Sequence, residues 1–536
     1  MKSLKSLLGG LSLGIALTVY PLGAAFADTP PDQLIIGMSM ANILSVDPAQ
    51  SSSREADLAR INIYDTLVEI DAHDKSALTP ALARDWSVSD DRTTITLNLR
   101  DDITFHSGNP LTADDVVWSL RRPLLLDSNA ATFWRVYGFS RDNAEQMIRK
   151  VDDYTVEIEI PDPTDPTLLL YVLANPVSGI IDSATAMEHD RDGDLATAWL
   201  TTNAAGSGAF TLGDWQANSL LILERNDDYW KGVPGMRRVV IRHMPESQTQ
   251  RLMIERGDID VAVSLAGPDL RGVEGADGVA IQHTQEGGFY YVSLSQEVEQ
   301  FQDVRVREAI RYLIDYDGIN ETIMPGYGLY HQVPVQMGLP ATLDNPGFEI
   351  DVERARELLA EAGYPNGFTT NIRVLSDSPF IEIATALQAN LAEAGITAEI
   401  ISGGGSVVYD RMRDRDYEIA VGRGGGGQAP HPHANLYNMA YNPDNRPEAQ
   451  LFALQSWRAS YADDEMNRLI EEGLVETDPE RQIEIYHQVQ QRYLDEVAPT
   501  IPISQVVTPV AVRTDVENLI FHPSRTTRLF EVTKNR

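Results

Sequence analysis

The chain has 536 residues, 43% of them hydrophobic, so it can bury a large core, and a length this great predicts two or three lobes rather than one. Its formal charge of −36 repels nucleic acid and anionic lipid, so neither is expected as a partner. It has no cysteine, so a disulfide framework and an anchor through a lipidated cysteine are excluded.

The first 27 residues are typical of a secretory signal peptide. Lysines at positions 2 and 5 precede an apolar run over 7–22, and the Ala-Phe-Ala at 25–27 has the spacing of a cleavage site. The run is short and broken by glycine, which argues against a membrane span; an uncleaved anchor is the alternative. We therefore expect a signal peptide at 1–27 and a mature chain, 28–536, in the periplasm.

The first half of the mature chain is rich in strands. An apolar run bounded by a proline and a polar loop, together with alternating apolar and polar residues further on, predicts strands at 33–40, 92–100, 153–160, 220–224 and 239–243. One helix is expected to begin after Thr112, whose hydroxyl can cap it, with Asp115 at the capping-box position.

In the second half, helices and strands alternate. The apolar spacing predicts helices at 304–314, 351–362, 379–394, 463–476 and 479–494, and strands at 370–375, 397–401 and 417–421. Strand and helix in turn indicate an α/β lobe around an open sheet.

A glycine-rich stretch follows the last of these strands and reads YEIAVGRGGGGQAPHPH over 417–433. It contains a formal G-x-G-x-x-G at Gly422, Gly424 and Gly427. A dinucleotide-binding fingerprint needs its third glycine to open a helix. Because Pro430 and Pro432 follow closely, we expect no regular helix there and interpret the match as accidental.

Two histidines close the same stretch. On an extended segment His431 and His433 face the same way and can chelate nickel or zinc. Two ligands do not complete a metal site, and no cysteine is available to add to them. We therefore expect neither a metal nor another cofactor.

The sequence does not favour an enzyme. It has no G-x-S-x-G, no H-E-x-x-H and no phosphate loop that ends in Gly-Lys-Ser/Thr. Its pairs of adjacent aspartates fall at turns and helix starts, where carboxylates stabilise the helix dipole. A binding protein is the expected class.

Seven segments of the chain form a recognisable series. Four of them, LTPALARDW, FHSGNPLTADDV, GSGAF and RNDDYW, are in the first half. The seven lie at 78–86, 105–116, 206–210, 225–230, 305–310, 355–368 and 476–481. In this order they resemble the extracytoplasmic solute-binding proteins of peptide, opine and nickel ABC importers, known as family 5. Together they span nearly all of the mature chain.

The resemblance implies an α/β, two-lobed periplasmic binding protein fold of type II, cluster C, with an extra subdomain in lobe I. On this map lobe I holds about 28–290 plus 506–536, with the subdomain at about 60–200, and lobe II holds about 291–505. The chain would cross between the lobes near 287–292 and 499–503. A hinge of this kind lets a ligand close the cleft between the lobes.

The function implied is capture of a short peptide or an opine-like solute and its delivery to the permease and ATPase of an ABC importer. The protein would be a monomer that touches the membrane only through the permease. The alternatives are a non-peptide ligand (a carboxylate-bearing small molecule, an amide or a metal chelate) or a chemosensory binding protein without its own importer.

The glycine-rich stretch departs from the relatives that bind dipeptides. Those carry an aromatic and an aspartate for the ligand ammonium at this strand end, and some carry an arginine for its carboxylate in the segment matching 376–379; neither is present here. An unpaired buried charge costs several kcal/mol, so a zwitterionic dipeptide is not expected. Arg423 is expected to pair with a ligand carboxylate or, alternatively, to form a surface ion pair.

We expect the glycines to offer backbone N–H groups to the ligand and to leave room for a bulky one. Aromatic residues are expected to line the cleft as well, with core packing as the alternative for each. The candidate ligand-binding residues are Arg423, Gly424, Gly425, Gly426, Gly427, His431, His433, Tyr437, Phe289, Tyr290, Tyr291, Trp134 and Tyr137.

Overall fold

The computed structural model describes residues 29–50, 53–427 and 429–535, so the predicted signal peptide lies outside the described residues. The strands are β1 (Gln33–Met38), β2 (Val68–Ile70), β3 (Leu78–Pro80), β4 (Ala83–Val88), β5 (Thr94–Leu99), β6 (Ile148–Asp152), β7 (Thr155–Glu159), β8 (Phe210–Gln216), β9 (Leu220–Arg225), β10 (Arg238–His243), β11 (Val261–Ala262), β12 (Val279–Leu294), β13 (Gly328–Tyr330), β14 (Thr369–Leu375), β15 (Thr397–Gly403), β16 (Ile419–Gly424), β17 (Thr500–Arg513), β18 (Val516–Glu517) and β19 (Thr533–Lys534).

The α-helices are α1 (Arg54–Ile63), α2 (Ala113–Leu125), α3 (Thr132–Arg135), α4 (Ala144–Met147), α5 (Pro166–Leu173), α6 (Ser183–Met187), α7 (Thr197–Leu200), α8 (Ser247–Arg256), α9 (Gly267–Val273), α10 (Glu299–Gln302), α11 (Val304–Tyr312), α12 (Tyr316–Gly318), α13 (Val352–Glu361), α14 (Phe380–Glu393), α15 (Arg411–Arg413), α16 (Pro432–Ala440), α17 (Gln455–Arg458), α18 (Asp464–Val475) and α19 (Pro479–Asp495).

A large mixed sheet is centred on two long antiparallel strands, β12 and β17. They have 16 and 14 residues and pair from Val279 with Arg513 to Ser293 with Thr500. Strands β11, β1, β10, β9 and β8 follow on the β17 side, and β16, β14 and β15 follow on the β12 side. Almost every residue of β17 is buried, so its apolar residues do not alternate regularly with polar ones, and the buried Ser504 and Gln505 side chains form hydrogen bonds.

The two sides of the sheet bury separate cores, and these define two lobes. Lobe I surrounds β1, β9 and β10, with Ile36 and Ile241 in its core. Lobe II surrounds β14 and β16, with Val374 and Val421 in its core. The strand segments predicted to cross between lobes lie side by side in the central pair, where Val292 is the partner of Ile501. The exact lobe boundaries remain a prediction.

A four-stranded antiparallel sheet, in the order β4-β5-β7-β6, forms a subdomain beside lobe I. Helix α2 packs on it and contributes Val116 and Leu120 to a core shared with Ile95 and Leu97. The predicted capping box of α2 is confirmed, since the Thr112 N–H donates to Asp115 Oδ2 at 3.0 Å.

The helices predicted for the second half are confirmed with ends shifted by at most two residues. Aspartates fix three of their starts: Asp351, Asp463 and Asp478 each accept a hydrogen bond from a backbone N–H in the first turn. Strand β16 begins two residues later and ends three residues later than predicted. It extends into the glycines because Gly424 still pairs with Phe289 of β12.

No helix in residues 29–50, 53–427 and 429–535 is both long enough and apolar enough to span a bilayer.

A buried ion pair fastens α2 to the loop after β1. Arg122 Nη1 and Nη2 donate to the two carboxylate oxygens of Asp47 at 2.6 and 2.8 Å, and both side chains are at most 1% exposed. Arg122 Nε also donates to the carbonyl of Leu195 at 2.8 Å. The pair therefore ties the subdomain to the body of lobe I.

Replacement of Arg122 by methionine should lower the free energy of unfolding by about 3–5 kcal/mol, because it leaves the Asp47 charge buried without a partner. Urea unfolding measures this change. The control is Arg468→Met, which removes an exposed arginine paired with Glu465 and Glu472 and should leave the unfolding curve unchanged. Equal behaviour of the two variants would contradict the role given to the pair.

Candidate functional site

Strand β16 ends in a loop that runs into α16. The helix begins at Pro432, so the expectation that the prolines prevent a regular helix is wrong. Proline is tolerated at the first helical position because the N–H it lacks has no partner within the helix. His431 caps the helix, with its Nδ1 accepting from the His433 N–H at 3.2 Å. The helix starts well after Gly427, so the third glycine does not open it.

The loop glycines are required mainly by close packing of backbone. Gly425 is buried at φ +79°, and a Cβ there would overlap the side chain of Met439. A Cβ on Gly426 would lie 2.9 Å from the backbone of Gly287 in β12. Gly427, at φ +66°, lies against Ala434 of α16. The space expected beside Gly425 is thus filled by protein.

A polar cavity of about 220 Å³ lies between the lobes at this loop. Gly426, Gly427 and Gln336 of lobe II form one wall, and Gly287 lies where β12 crosses. The facing wall comes from lobe I and the subdomain, and its members are Asp57, Phe133, Asn175, Pro523, Ser524 and Arg525.

The two charged side chains of the polar cavity, Asp57 and Arg525, differ in burial and in their ion-pair partners. Asp57 is 3% exposed at its side chain, and its Oδ1 accepts from Arg60 at 3.0 Å. Arg525 Nη1 lies 3.5 Å from the other carboxylate oxygen of Asp57. Burial raises the pKa of Asp57, although both arginines oppose the rise. The Arg525 side chain is 45% exposed and faces the cavity.

An apolar cavity of about 400 Å³ adjoins the polar one, and Gly427 lies in the wall of both. The subdomain contributes Tyr137 and Leu168 to its wall, and lobe II contributes Tyr437 and Leu474. Burial raises the pKa of Tyr137, and Tyr437 adds to this rise. The two phenols therefore lie close together across the cleft.

Contacts outside the cavities also join the lobes. Lys75 of lobe I donates to the carbonyl of Met337 in lobe II at 2.5 Å. Gln482 of α19 donates to Asp165 of the subdomain at 3.2 Å. These hydrogen bonds show that the two lobes contact each other directly at two places outside the cavities.

The two histidines of the loop are buried beside this junction. His431 Nε2 lies 3.9 Å from Asp165 Oδ2, and His433 packs against the Tyr437 and Tyr486 rings. Burial lowers the pKa of His431 to about 4 and that of His433 to about 3, while Asp165 opposes both shifts. No cluster of three or more metal-ligating side chains occurs among the residues that the structure describes.

The remaining predicted site residues lie apart from the cavities. Trp134 is in the subdomain core, and the Phe289, Tyr290 and Tyr291 side chains pack in separate cores around β12. Arg423 is exposed and lies in neither cavity wall, and its backbone N–H donates to the Tyr409 hydroxyl at 3.3 Å. Of the predicted residues, the structure brings Gly426, Gly427, His433, Tyr437 and Tyr137 together in the cavity walls.

Sequence reasoning missed several polar residues of the cleft, among them Asp57, Asn175 and Arg525. They lie in three distant parts of the chain, and no local spacing relates them. Asp57 of α1 and Arg525 of the segment after β17 come together only in the tertiary structure. The only local signal is the Pro523-Ser524 turn before Arg525.

Comparisons with known proteins show which family the chain matches. Residues 77–447 match the family described as Bacterial extracellular solute-binding proteins, family 5 Middle. The chain is 27% identical over 515 residues to the probable D,D-dipeptide-binding periplasmic protein DdpA of Escherichia coli K12, covering 95% of each chain.

Two solved structures show a similar two-lobed fold. HbpA2 from Haemophilus parasuis superposes with a TM-score of 0.81 at 22% identity, over 94% of this chain and all of that one. The periplasmic binding protein DppA from Helicobacter pylori, in complex with the peptide STSA, has a TM-score of 0.74 at 25% identity, over 94% and 98%. The predicted α/β two-lobed fold is therefore confirmed.

Replacement of Gly425 by alanine should destabilise the fold by about 1–3 kcal/mol, because the new methyl group overpacks against Met439 and the φ angle disfavours any side chain. The control is Gly404→Ala, where a Cβ meets nothing within 4 Å. Thermal and urea unfolding compare the two. Indistinguishable stabilities would show that the loop backbone has more room than its packing indicates.

The buried histidines predict a loss of stability in acid. Each has a folded pKa below its ordinary value of about 6.5, so the unfolded chain binds the extra proton as the pH falls below 6.5. The free energy of unfolding then falls by about 1.4 kcal/mol per pH unit for each such histidine, until the folded pKa near 3–4 is reached.

Replacement of His433 by asparagine should flatten this dependence between pH 6.5 and 4, as measured by urea midpoints across the range. His73→Asn, on an exposed turn, controls for the loss of one histidine. An unchanged slope in the His433 variant would contradict the buried neutral state.

Proposed function

The chain belongs to the bacterial extracellular solute-binding proteins of family 5, and from this membership we propose that it captures a peptide-like solute between its lobes and delivers it to an ABC importer. The observation that carries the proposal is the cleft, in which the polar and the apolar cavity each take one wall from either lobe. Together their volumes fall in the range of small-molecule sites, roughly 300–1,000 Å³.

The chemistry of the walls suits a peptide-like solute. A peptide presents a carboxylate, amide groups and side chains, and the cleft offers an arginine, exposed amide and backbone groups and an apolar chamber. The printed names of DdpA and of the DppA complex refer to a dipeptide and a peptide. Arg525, on the lobe I side, offers a partner for a ligand carboxylate in place of the arginine that is missing from the segment 376–379.

The protein delivers its solute without chemical change. The protein works in the periplasm after removal of 1–27, as a monomer, and its partners are the permease and the ATPase of the importer. A bound solute should therefore be released intact. Mass spectrometry of solute before binding and after denaturing release tests this point, and a hydrolysed product would contradict it.

Closure is expected to concentrate where β12 and β17 connect the lobes. Both strands run through both lobes, so lobe II must rotate about the segments 287–292 and 499–503. The lobe contacts of Lys75 and Gln482 would form only in the closed state, and the solute would stabilise that state by bridging the same walls.

Purified protein screened against peptides, opines, amides and metal chelates should show a thermal shift with a peptide-like solute, since a ligand at a hundred times its Kd adds about 2.7 kcal/mol. Small-angle scattering with that solute at saturation should then give a smaller radius of gyration. A folded protein that responds to no peptide-like solute, or a scattering curve unchanged at saturation, would overturn capture or closure respectively.

A further inference from the structure

Several hydrogen-bond donors in the wall of the polar cavity have no protein acceptor. Among the described residues, these are the N–H groups of Gly426 and Gly427 and Nδ2 of Asn175. The carboxylate of Asp57 is already paired with Arg60, which is itself buried and donates to the carbonyls of Ser45 and Gln50 at 2.8 Å. A solute carboxylate can accept from the three unpaired donors.

Arg525 is the charged donor best placed to bind one. Its only ion pair among the described residues is the 3.5 Å contact with Asp57, whose charge Arg60 also neutralises. It stands in a Pro-Ser-Arg turn at φ +64°, a conformation that residues other than glycine rarely adopt and that clusters at ligand sites. A guanidinium held in this way can bind a carboxylate through two parallel hydrogen bonds.

Two phenol rings from opposite lobes line the adjoining apolar cavity. Tyr137 comes from the subdomain and Tyr437 from lobe II, with Leu168 and Leu474 in the same wall. The two rings are close enough for Tyr437 to raise the pKa of Tyr137. Because aromatic rings pack favourably on one another beyond the area that they bury, an aromatic side chain suits this cavity better than an aliphatic one.

We infer that the solute is a peptide-like carboxylate with an aromatic side chain next to the carboxylate. The carboxylate binds Arg525, Asn175 and the N–H groups of Gly426 and Gly427, and the ring enters the apolar cavity between Tyr137 and Tyr437. Because Gly427 lies in the wall of both cavities, the carboxylate and the ring of a single residue can occupy the two cavities together. This inference rests on the proposed function and specifies the solute it would select.

Calorimetry with four probes tests the inference: Ala-Ala, Ala-Phe, Ala-Tyr and the carboxamide Ala-Tyr-NH₂. Burial of an aromatic side chain predicts that Ala-Phe and Ala-Tyr bind about 10- to 100-fold more tightly than Ala-Ala. Loss of the charge should weaken Ala-Tyr-NH₂ by 10-fold or more relative to Ala-Tyr.

Two variants assign these preferences to residues. Arg525→Gln should bind the acid and the carboxamide equally, and Arg525→Lys should keep part of the difference. Tyr437→Ala should bind Ala-Tyr no more tightly than Ala-Ala while still distinguishing the acid from the carboxamide. Matched controls are Arg237→Gln, an arginine of lobe I with similar exposure, and Tyr154→Ala, an exposed tyrosine. Circular dichroism verifies that each variant is folded.

The outcomes separate the two proposals. If folded wild-type protein binds none of these peptides and no other peptide-like solute, the proposed function fails. If it binds peptides but treats acid and carboxamide alike, or Ala-Ala like Ala-Tyr, only the further inference fails. Loss of the acid preference in Arg423→Gln but not in Arg525→Gln would likewise overturn the inference, since it would place the anion site at the end of β16.

Discussion

The ladder between β12 and β17 is the constraint on which the rest of the structure depends. The two strands, of 16 and 14 residues, pair with each other in both lobes. Each lobe therefore contains strand segments that continue into the other lobe. The ladder shifts register twice, between Gln285 and Phe289 and again between Tyr290 and Tyr291, and the first of these interruptions is the longer. At this first interruption the strand bulges. There the Glu286 carbonyl accepts from Gln505 at 2.7 Å and its carboxylate accepts from Thr508 at 2.8 Å, so side chains of β17 replace the missing backbone bonds.

The position of the cleft follows from that interruption. Where the ladder bulges, Gly287 turns its backbone toward the loop after β16, and Gly426 packs directly on it. Both residues lie in the wall of the polar cavity. The proposed ligand site thus lies at the carboxyl end of β16, beside the predicted crossing between the lobes, where binding and closure can be coupled.

Buried charges of lobe I near the cleft are paired with one another, whereas the partly exposed Arg525 faces the polar cavity. The surface is strongly acidic, yet inside the lobe Arg60 pairs with Asp57, and Arg528 lies 3.4 Å from Glu69. Pairing of this kind is required because a buried charge without a partner costs several kcal/mol. The segment after β17 supplies both Arg528 and Arg525, so the end of the chain contributes stability through one arginine and a cavity wall through the other.

The sequence by itself determined most of the local structure. Apolar spacing located the helices of lobe II, and Thr112 with Asp115 located α2, because these signals act within a few residues. The order of the family segments gave the two-lobed fold. Only the tertiary structure decided that Arg525 and Asp57 meet in the cleft, that Phe289 to Tyr291 are core residues and that Gly425 packs on Met439. Such contacts depend on which distant strands pair and on which face of the sheet each side chain lies. The glycine-rich loop has no side chains whose apolar and polar pattern could indicate either.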